Sequence, residues 1–255
     1  MELWAHRGGG IGPLENTLAG FKLAIQNHFT AVELDLMITA DGHLVVHHDK
    51  CLGRLSELHP NSCLPHNATL SELSLAQLSA FSINNHPILL FVQLLNFLLK
   101  SGIQVNVELK AYSPSMAAKI GTALETLFNY LPKSQFNQIK KNWIFSSFNH
   151  SSLTRLASKQ FNIALLFEKL RPDWHARAVQ FCANAVHVHW SALSDEIIQE
   201  VLASGRKIRV YTVNQSEIYA RCLSMGVHGV FTDRITNSQQ LIVQVKQPTL
   251  PATLI

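Results

Sequence analysis

Eight strand-length runs recur along the chain with helical patterns between them, and this alternation restricts the fold more than any other feature of the sequence. The runs cover residues 3–7, 31–35, 104–110, 142–148, 162–168, 184–190, 207–213 and 226–232. Stretches of helical period such as "SMAAKIGTALETLFNYL", "SSLTRLASKQ", "SDEIIQEVLAS" and "SEIYARCLSMG" stand between them. Strand and helix in alternation build right-handed βαβ units on a parallel sheet, an α/β arrangement. Eight such strands close into a (β/α)8 barrel, the TIM barrel, whose functional residues sit at the carboxyl ends of the strands. A chain of 255 residues is long enough to bury the core of one such barrel.

One further run breaks the alternation. "HLVVHHD" at 43–49 follows the strand before it after only "ITADG", whereas a parallel return needs a dozen or more residues. Residues 34–48 therefore read as an antiparallel hairpin turning at Ala40-Asp41-Gly42, its projecting part spanning 36–48. Pairing about that turn sets Glu33 across from His48, which brings His48 back to the rim. Residues 50 to 86, rich in Ser, Asn, His and Pro, have no clear period and read as a small insertion over the same face.

The first strand runs into "WAHRGGGIGPLENTLAGF", where Gly8, Gly9, Gly10 and Gly12 follow His6 and Arg7. A dinucleotide fingerprint would need glycine at position 13, which is Pro13, and no Gly-Lys-Ser/Thr follows for a nucleoside triphosphate. The glycines alone are equally consistent with a simple turn into a helix. Asn16 is placed to cap that helix, with Leu18, Phe21 and Ile25 on one side of it.

Composition narrows the partners. Charged residues are 15% and the net charge of +4 is spread without a run of five like charges, which argues against a nucleic-acid groove but leaves room for a basic anion pocket. Cys51, Cys63, Cys182 and Cys222 lack metal-ligand or redox spacing, and only two residues precede the first apolar run. Both points lead to the expectation of a reduced, cytoplasmic protein without a signal peptide. "PILLFVQLLNFLLK" at 87–100 is interrupted by Gln93 and Asn96 and is shorter than the ~20 residues of a membrane span. It reads as a core helix, with no stable membrane association.

Residues two apart on a strand share a face, so Glu33 and Asp35 point together, as do Glu108 and Lys110. Three carboxylates in one barrel mouth repel one another, and a cluster of that kind usually holds a cation. The oxygen-only donor set favours Mg²⁺ or Ca²⁺ over zinc. Pair by pair a plainer reading also holds, in which Glu108 and Lys110 form a buried ion pair and Glu33 and Asp35 close a strand. With His6, Arg7 and His48 at neighbouring rim positions, packing alone is a poor explanation. His187 and His189 share a face of the strand at 184–190 and suit either substrate contact or a satisfied core. His47 alternates away from His48 and should pack elsewhere, and His28, His59, His66 and His86 read as surface residues.

The strings "HRGGG", "PLENTLAGF", "ELDLMITADGHLVVHHD", "VELK", "SSF", "YTVN" and "GVFTD", in this order and spacing, resemble the successive motifs of the glycerophosphodiester phosphodiesterase family. The likeness to its cytosolic bacterial branch runs over nearly the whole chain. It implies one domain over residues 1–255, a barrel of the phospholipase C-like phosphodiesterase type. It also implies hydrolysis of glycerophosphodiesters, such as glycerophosphocholine or glycerophosphoethanolamine, to sn-glycerol 3-phosphate and an alcohol. Under the resemblance His6 and His48 are the acid/base pair, Glu33, Asp35 and Glu108 bind one divalent cation, and Arg7 and Lys110 lie near the phosphate. Phe148 suits either the lining of the leaving-group pocket or barrel packing, and Tyr211 either stacks on the glycerol side or fills the barrel. In the family's usual picture a glycerol hydroxyl attacks phosphorus first, giving a cyclic phosphate that water opens.

The chain departs from the family pattern at three places. Leu52-Gly53-Arg54-Leu55-Ser56 replaces a common Leu-x-Arg-Thr-Thr, Tyr211 stands where tryptophan is frequent, and Leu14 lengthens the usual Pro-Glu-Asn-Thr. Two other readings are a related barrel phospholipase acting on lysophospholipids, and a catalytically silent barrel that only binds.

Overall fold

Strand β1 (Glu2–Ala5) lies between the second and the last barrel strands in the computed structural model, which describes residues 1–60 and 62–243. The others are β2 (Ala31–Ile38), β3 (Gln104–Leu109), β4 (Trp143–Ser147), β5 (Asn162–Phe167), β6 (Ala185–His189), β7 (Lys207–Tyr211) and β8 (Gly229–Thr232). Each pairs in parallel with its sequence neighbour, and β8 pairs with β1, so the sheet closes. These are the eight strands that the alternation predicts. All eight residues of β2 are buried, because one face meets the helices while the other lines the barrel.

The apolar run at 87–100 forms helix α2 (Phe91–Ser101), preceded by the two-residue strand Leu89–Leu90; helix α1 comes earlier in the chain, at Leu18–Gln26. Phe91, Leu94, Leu95, Leu98 and Leu99 are buried on one side of α2 while Val92 remains 45% exposed, the pattern of a core-facing helix. Among the described residues no helix is long and apolar enough to cross a membrane.

Two local expectations are corrected. Helix α1 is capped by Thr17, not Asn16: Thr17 is extended and its hydroxyl accepts the Gly20 N–H at 3.1 Å. Asn16 is unavailable for capping because its backbone is left-handed, at φ +55°. The hairpin does form, with Leu36 opposite Val46, Met37 opposite Val45 and Ile38 opposite Leu44. Its ladder ends where the His47 N–H donates to the Asp35 carbonyl at 3.0 Å, so counting on sets Glu33 level with Asp49 rather than His48. The turn centres on Asp41 as expected, closed by Thr39 and His43, and the residue as far beyond Asp41 as Glu33 lies before it is Asp49, so the expected pairing is out by one. The stretch after it, aperiodic in sequence, contains a small antiparallel sheet of Ser56–Leu58, Phe81–Ile83 and His86–Pro87.

Gly20 lets α1 lie directly on the glycine loop. A Cβ there would overlap the Leu14 carbonyl and reach 2.8 Å from the Gly9 nitrogen. That close approach packs residues 8–16 onto the barrel rim and aims Arg7, Glu15 and Asn16 inward.

Candidate active site

The carboxyl ends of β2 and β3 bring Glu33, Asp35 and Glu108 together. One carboxylate oxygen from each lies within 4.8 Å of the other two, a spacing that one hard cation can bridge. Glu33 and Asp35 are 3% and 1% exposed. Burial, then the neighbouring charges of Asp35 and Glu108, raise the Glu33 pKa well above the usual carboxylate range, despite a 2.8 Å hydrogen bond from the Arg7 N–H. Burial also acts against ionised Asp35, but Lys110, Arg7, His48 and the Asn16 amide together hold its pKa far below the ordinary value. Asn16 both donates to Asp35 Oδ2 at 2.8 Å and accepts the Asp35 N–H at 3.2 Å.

The fit of these residues to a cation rests on the donor set and on unpaired oxygens. Glu33 Oε1 is buried and has no hydrogen-bond partner among the described residues. Lys110 Nζ lies 2.6 Å from Glu108 Oε1 and 3.2 Å from Asp35 Oδ1, so the plainer expectation of a buried Glu108–Lys110 ion pair is also met. Lys110 is itself pushed up in pKa: burial opposes its charge, and Glu108 and Asp35 more than offset that. Two cationic side chains, Arg7 and Lys110, thus border three carboxyls. Glu33 is the acid left least compensated, and a hard divalent ion fits there.

Each candidate imidazole is held by an aspartate. His6 Nδ1 is 2.7 Å from Asp233 Oδ1, and His48 Nδ1 is 2.7 Å from Asp49 Oδ1. An ionised carboxylate only accepts, so both Nδ1 atoms carry the hydrogen and both Nε2 atoms are free for chemistry. His6 Nε2 lies 4.0 Å from Glu33 Oε2. His48 is near enough to Asp35 to help lower its pKa. Asp233 is further fixed by the Asn214 amide at 2.7 Å and the Ile11 N–H at 2.9 Å. Asp233 and Asn214 follow the ends of β8 and β7, inside the strings "GVFTD" and "YTVN". Neither stands out in the sequence, although the rim rule that selects His6 applies to them equally.

Burial alone would raise Asp233, yet the His6, Asn214 and Ile11 contacts bring it down to about 2. A carboxyl lowered by folding stabilises the native state above its unfolded pKa, and that contribution disappears as pH falls from about 4 through about 2. Asp233→Asn is therefore expected to cost about 2 kcal/mol at neutral pH and to flatten the acid limb of the stability curve over that window. Urea denaturation at pH 7 and pH 3 checks this.

The departures from the family pattern also find partners. Glu15, 2% exposed, accepts from Arg7 Nη1 at 3.1 Å and from the Gly12 N–H at 3.2 Å, and it pairs with Arg54 Nη2. Arg54 Nε reaches Asp49 Oδ2 at 2.5 Å. A chain of ion pairs thus joins the His48 side of the rim to the Arg7 side through the inserted segment. Arg7 itself has a left-handed backbone at φ +50°, a conformation rare for a residue with a side chain.

Phe148, 47% exposed, meets the Tyr211 ring edge-on at 6.0 Å, and Lys110 Nζ lies 6.0 Å from the Phe148 centroid. The Tyr211 hydroxyl donates to the Phe167 carbonyl at 3.0 Å. His189 lies against Tyr211 at 5.5 Å and is held by the Ser191 hydroxyl at 2.7 Å. His47 is buried with Asp49, Asp35 and Glu15 near enough to favour its charged form, and burial outweighs them and lowers it to about 4.

The chain matches the sequence model of the glycerophosphoryl diester phosphodiesterase family over residues 6–237. A glycerophosphodiester phosphodiesterase of Caldanaerobacter subterraneus subsp. tengcongensis is 28% identical over 240 residues, covering 90% of this chain and 92% of that one. One from Bacillus altitudinis is 27% identical over 244 residues, covering 91% and 94%. Among solved structures, an Oleispira antarctica phosphodiesterase in complex with the product sn-glycerol-3-phosphate superposes with a TM-score of 0.82 at 23% identity, over 95% of this chain and 97% of that one. The Thermotoga maritima glycerophosphodiester phosphodiesterase superposes at 0.71 with 25% identity, over 96% and 97%.

Proposed function

The chain belongs to the glycerophosphoryl diester phosphodiesterase family, and from that premise we propose how its own residues hydrolyse a glycerophosphodiester to sn-glycerol 3-phosphate and an alcohol. The observation that carries the reading is the meeting, at one rim, of three buried carboxyls within 4.8 Å and two aspartate-held imidazoles.

Glu33, Asp35 and Glu108 hold one divalent cation, Mg²⁺ or Ca²⁺. When bound, that cation supplies charge neutralisation at the phosphate oxygens. Arg7 and Lys110 add fixed positive charge beside it, already oriented by Glu15, Asp35 and Glu108 and so needing little reorganisation during the reaction. His6 and His48 divide the proton transfers: one, with a bare Nε2, takes the proton of the attacking hydroxyl, and the other enters the step protonated on both nitrogens and gives its Nε2 proton to the departing alcohol. Asp233 and Asp49 each engage Nδ1, so that Nε2 is the nitrogen that exchanges the proton and the charged form of either ring has a carboxylate beside it.

Phe148 and Tyr211 form an aromatic wall for the substrate. Phe148→Ala is expected to raise KM for glycerophosphocholine about 3- to 10-fold with a smaller change in kcat, the size of an aromatic–cation contact. Steady-state kinetics on the variant measures it. Cys51, Cys63 and Cys182 are exposed and unpaired and Cys222 is buried and free, which supports a reducing, cytoplasmic setting.

The test is release of sn-glycerol 3-phosphate from glycerophosphocholine and glycerophosphoethanolamine, with phosphorus NMR of the products. Glycerol 3-phosphate as the end product is expected. A reaction that stops at a cyclic phosphate, or that proceeds only on lysophospholipids, would overturn the assignment.

A further inference from the structure

His187 takes no part in the chemistry above. It lies on β6 inside the barrel, 0% exposed, with its ring 5.0 Å from that of Phe231. Neither ring nitrogen has a hydrogen-bond partner among the described residues. A neutral imidazole brings one donor and one acceptor, and burying both unpaired is a penalty that packing against one phenyl ring does not require.

The surroundings account for it. His187, Asn106, Glu33 and Glu108, together with His6 and Tyr211, line one cavity of about 30 Å³ that adjoins the carboxyl cluster. Asn106 gives its amide hydrogen to Ser146 Oγ at 2.9 Å, and its oxygen is left without a partner, as is Glu33 Oε1. Besides Glu108 Oε1, which faces Lys110, four buried, unpaired polar atoms therefore belong to three residues bordering one small space. A water molecule needs on the order of 10–15 Å³ and two to four polar partners, so the cavity suits one or two. Burial, and secondarily Arg209, hold the His187 pKa well below its ordinary value, so the neutral ring offers both an N–H and a lone pair. Direct ligation is a poorer fit, because the group of mutually close ligand atoms comprises Glu33, Asp35 and Glu108 without His187.

We propose that His187 and Asn106 hold internal water against the free oxygen of Glu33, making His187 a positioning residue for the metal-binding carboxylate. Glu33 Oε2 is already fixed by the Arg7 N–H; Oε1 has two lone pairs, and a water-mediated bond to one fixes the plane of the carboxyl group while the other stays open to the cation. The inference rests on the cation reading of the site.

Its test is calorimetric titration of chelator-stripped protein with Ca²⁺ and with Mg²⁺, alongside thermal denaturation in chelator. His187→Leu is expected to weaken cation binding about 10- to 100-fold, the usual cost of losing a group that orients a ligand. Its melting temperature in chelator should hold or rise, because two unpaired polar atoms are removed. His187→Gln, which keeps a donor and an acceptor, should bind within about threefold of wild type. Asn106→Ala should weaken binding in the same direction, and it supplies an independent reading if His187→Leu does not fold. Wild-type affinity in His187→Leu or, where that variant does not fold, in Asn106→Ala would overturn the proposal and leave the carboxylate site standing. Absence of cation binding by the wild type would instead overturn the carboxylate site, and this inference with it.

Discussion

Glu33→Gln is expected to abolish metal-dependent turnover, with a loss of about 10³-fold or more, corresponding to the several kcal/mol that a bound cation contributes at a phosphoryl centre. The amide is nearly isosteric, so the barrel should fold. Its stability in chelator should match or exceed that of the wild type, because burial and the charges of Asp35 and Glu108 already disfavour ionised Glu33. The same substitution thus separates two quantities that usually fall together. Activity assays over a Mg²⁺ series, paired with melting curves in chelator, measure both; a variant that loses stability and activity in proportion would point to a structural role.

His6→Ala and His48→Ala are each expected to lower kcat by about 10²- to 10⁴-fold, the range for a positioned acid or base. His6 is tied into a network through Asp233 and Asn214, and His48 through Asp49 and Arg54. Because both proton transfers serve one reaction, the double variant should be little worse than the worse single one. Each alanine should leave cation affinity within about threefold, since neither imidazole belongs to the carboxyl cluster. Full turnover in either variant contradicts the assigned proton transfers.

Most of the barrel was readable because its strands are buried on both faces and its helices on one, which writes two different periods into the chain. The rim residues were readable for a related reason: Glu33, Asp35, Glu108 and Lys110 are charges inside otherwise apolar strands, where nothing but chemistry or pairing keeps them. Positions determined by loop conformation were less visible. Asn16 looks like a helix cap, yet its left-handed backbone sends the amide to Asp35 and leaves capping to Thr17. The hairpin turn at Asp41 was legible, but the partner counted from it was one residue out, since Glu33 and Asp49 lie equally far from Asp41. Arg54 and Glu15 meet across 39 positions of aperiodic chain, and no local pattern announces such a contact. Asp233 was legible in principle, since it directly follows a strand end, but a lone acid after "GVFT" shows its role only once His6 is seen beside it.

The central claim is that one divalent cation, held by Glu33, Asp35 and Glu108, is required for hydrolysis. Chelator-stripped wild-type protein titrated with Mg²⁺, with glycerol 3-phosphate release followed in the same samples, tests it most directly. One cation per chain, with activity rising in step with occupancy, is the predicted result. Undiminished release from the stripped protein would contradict it.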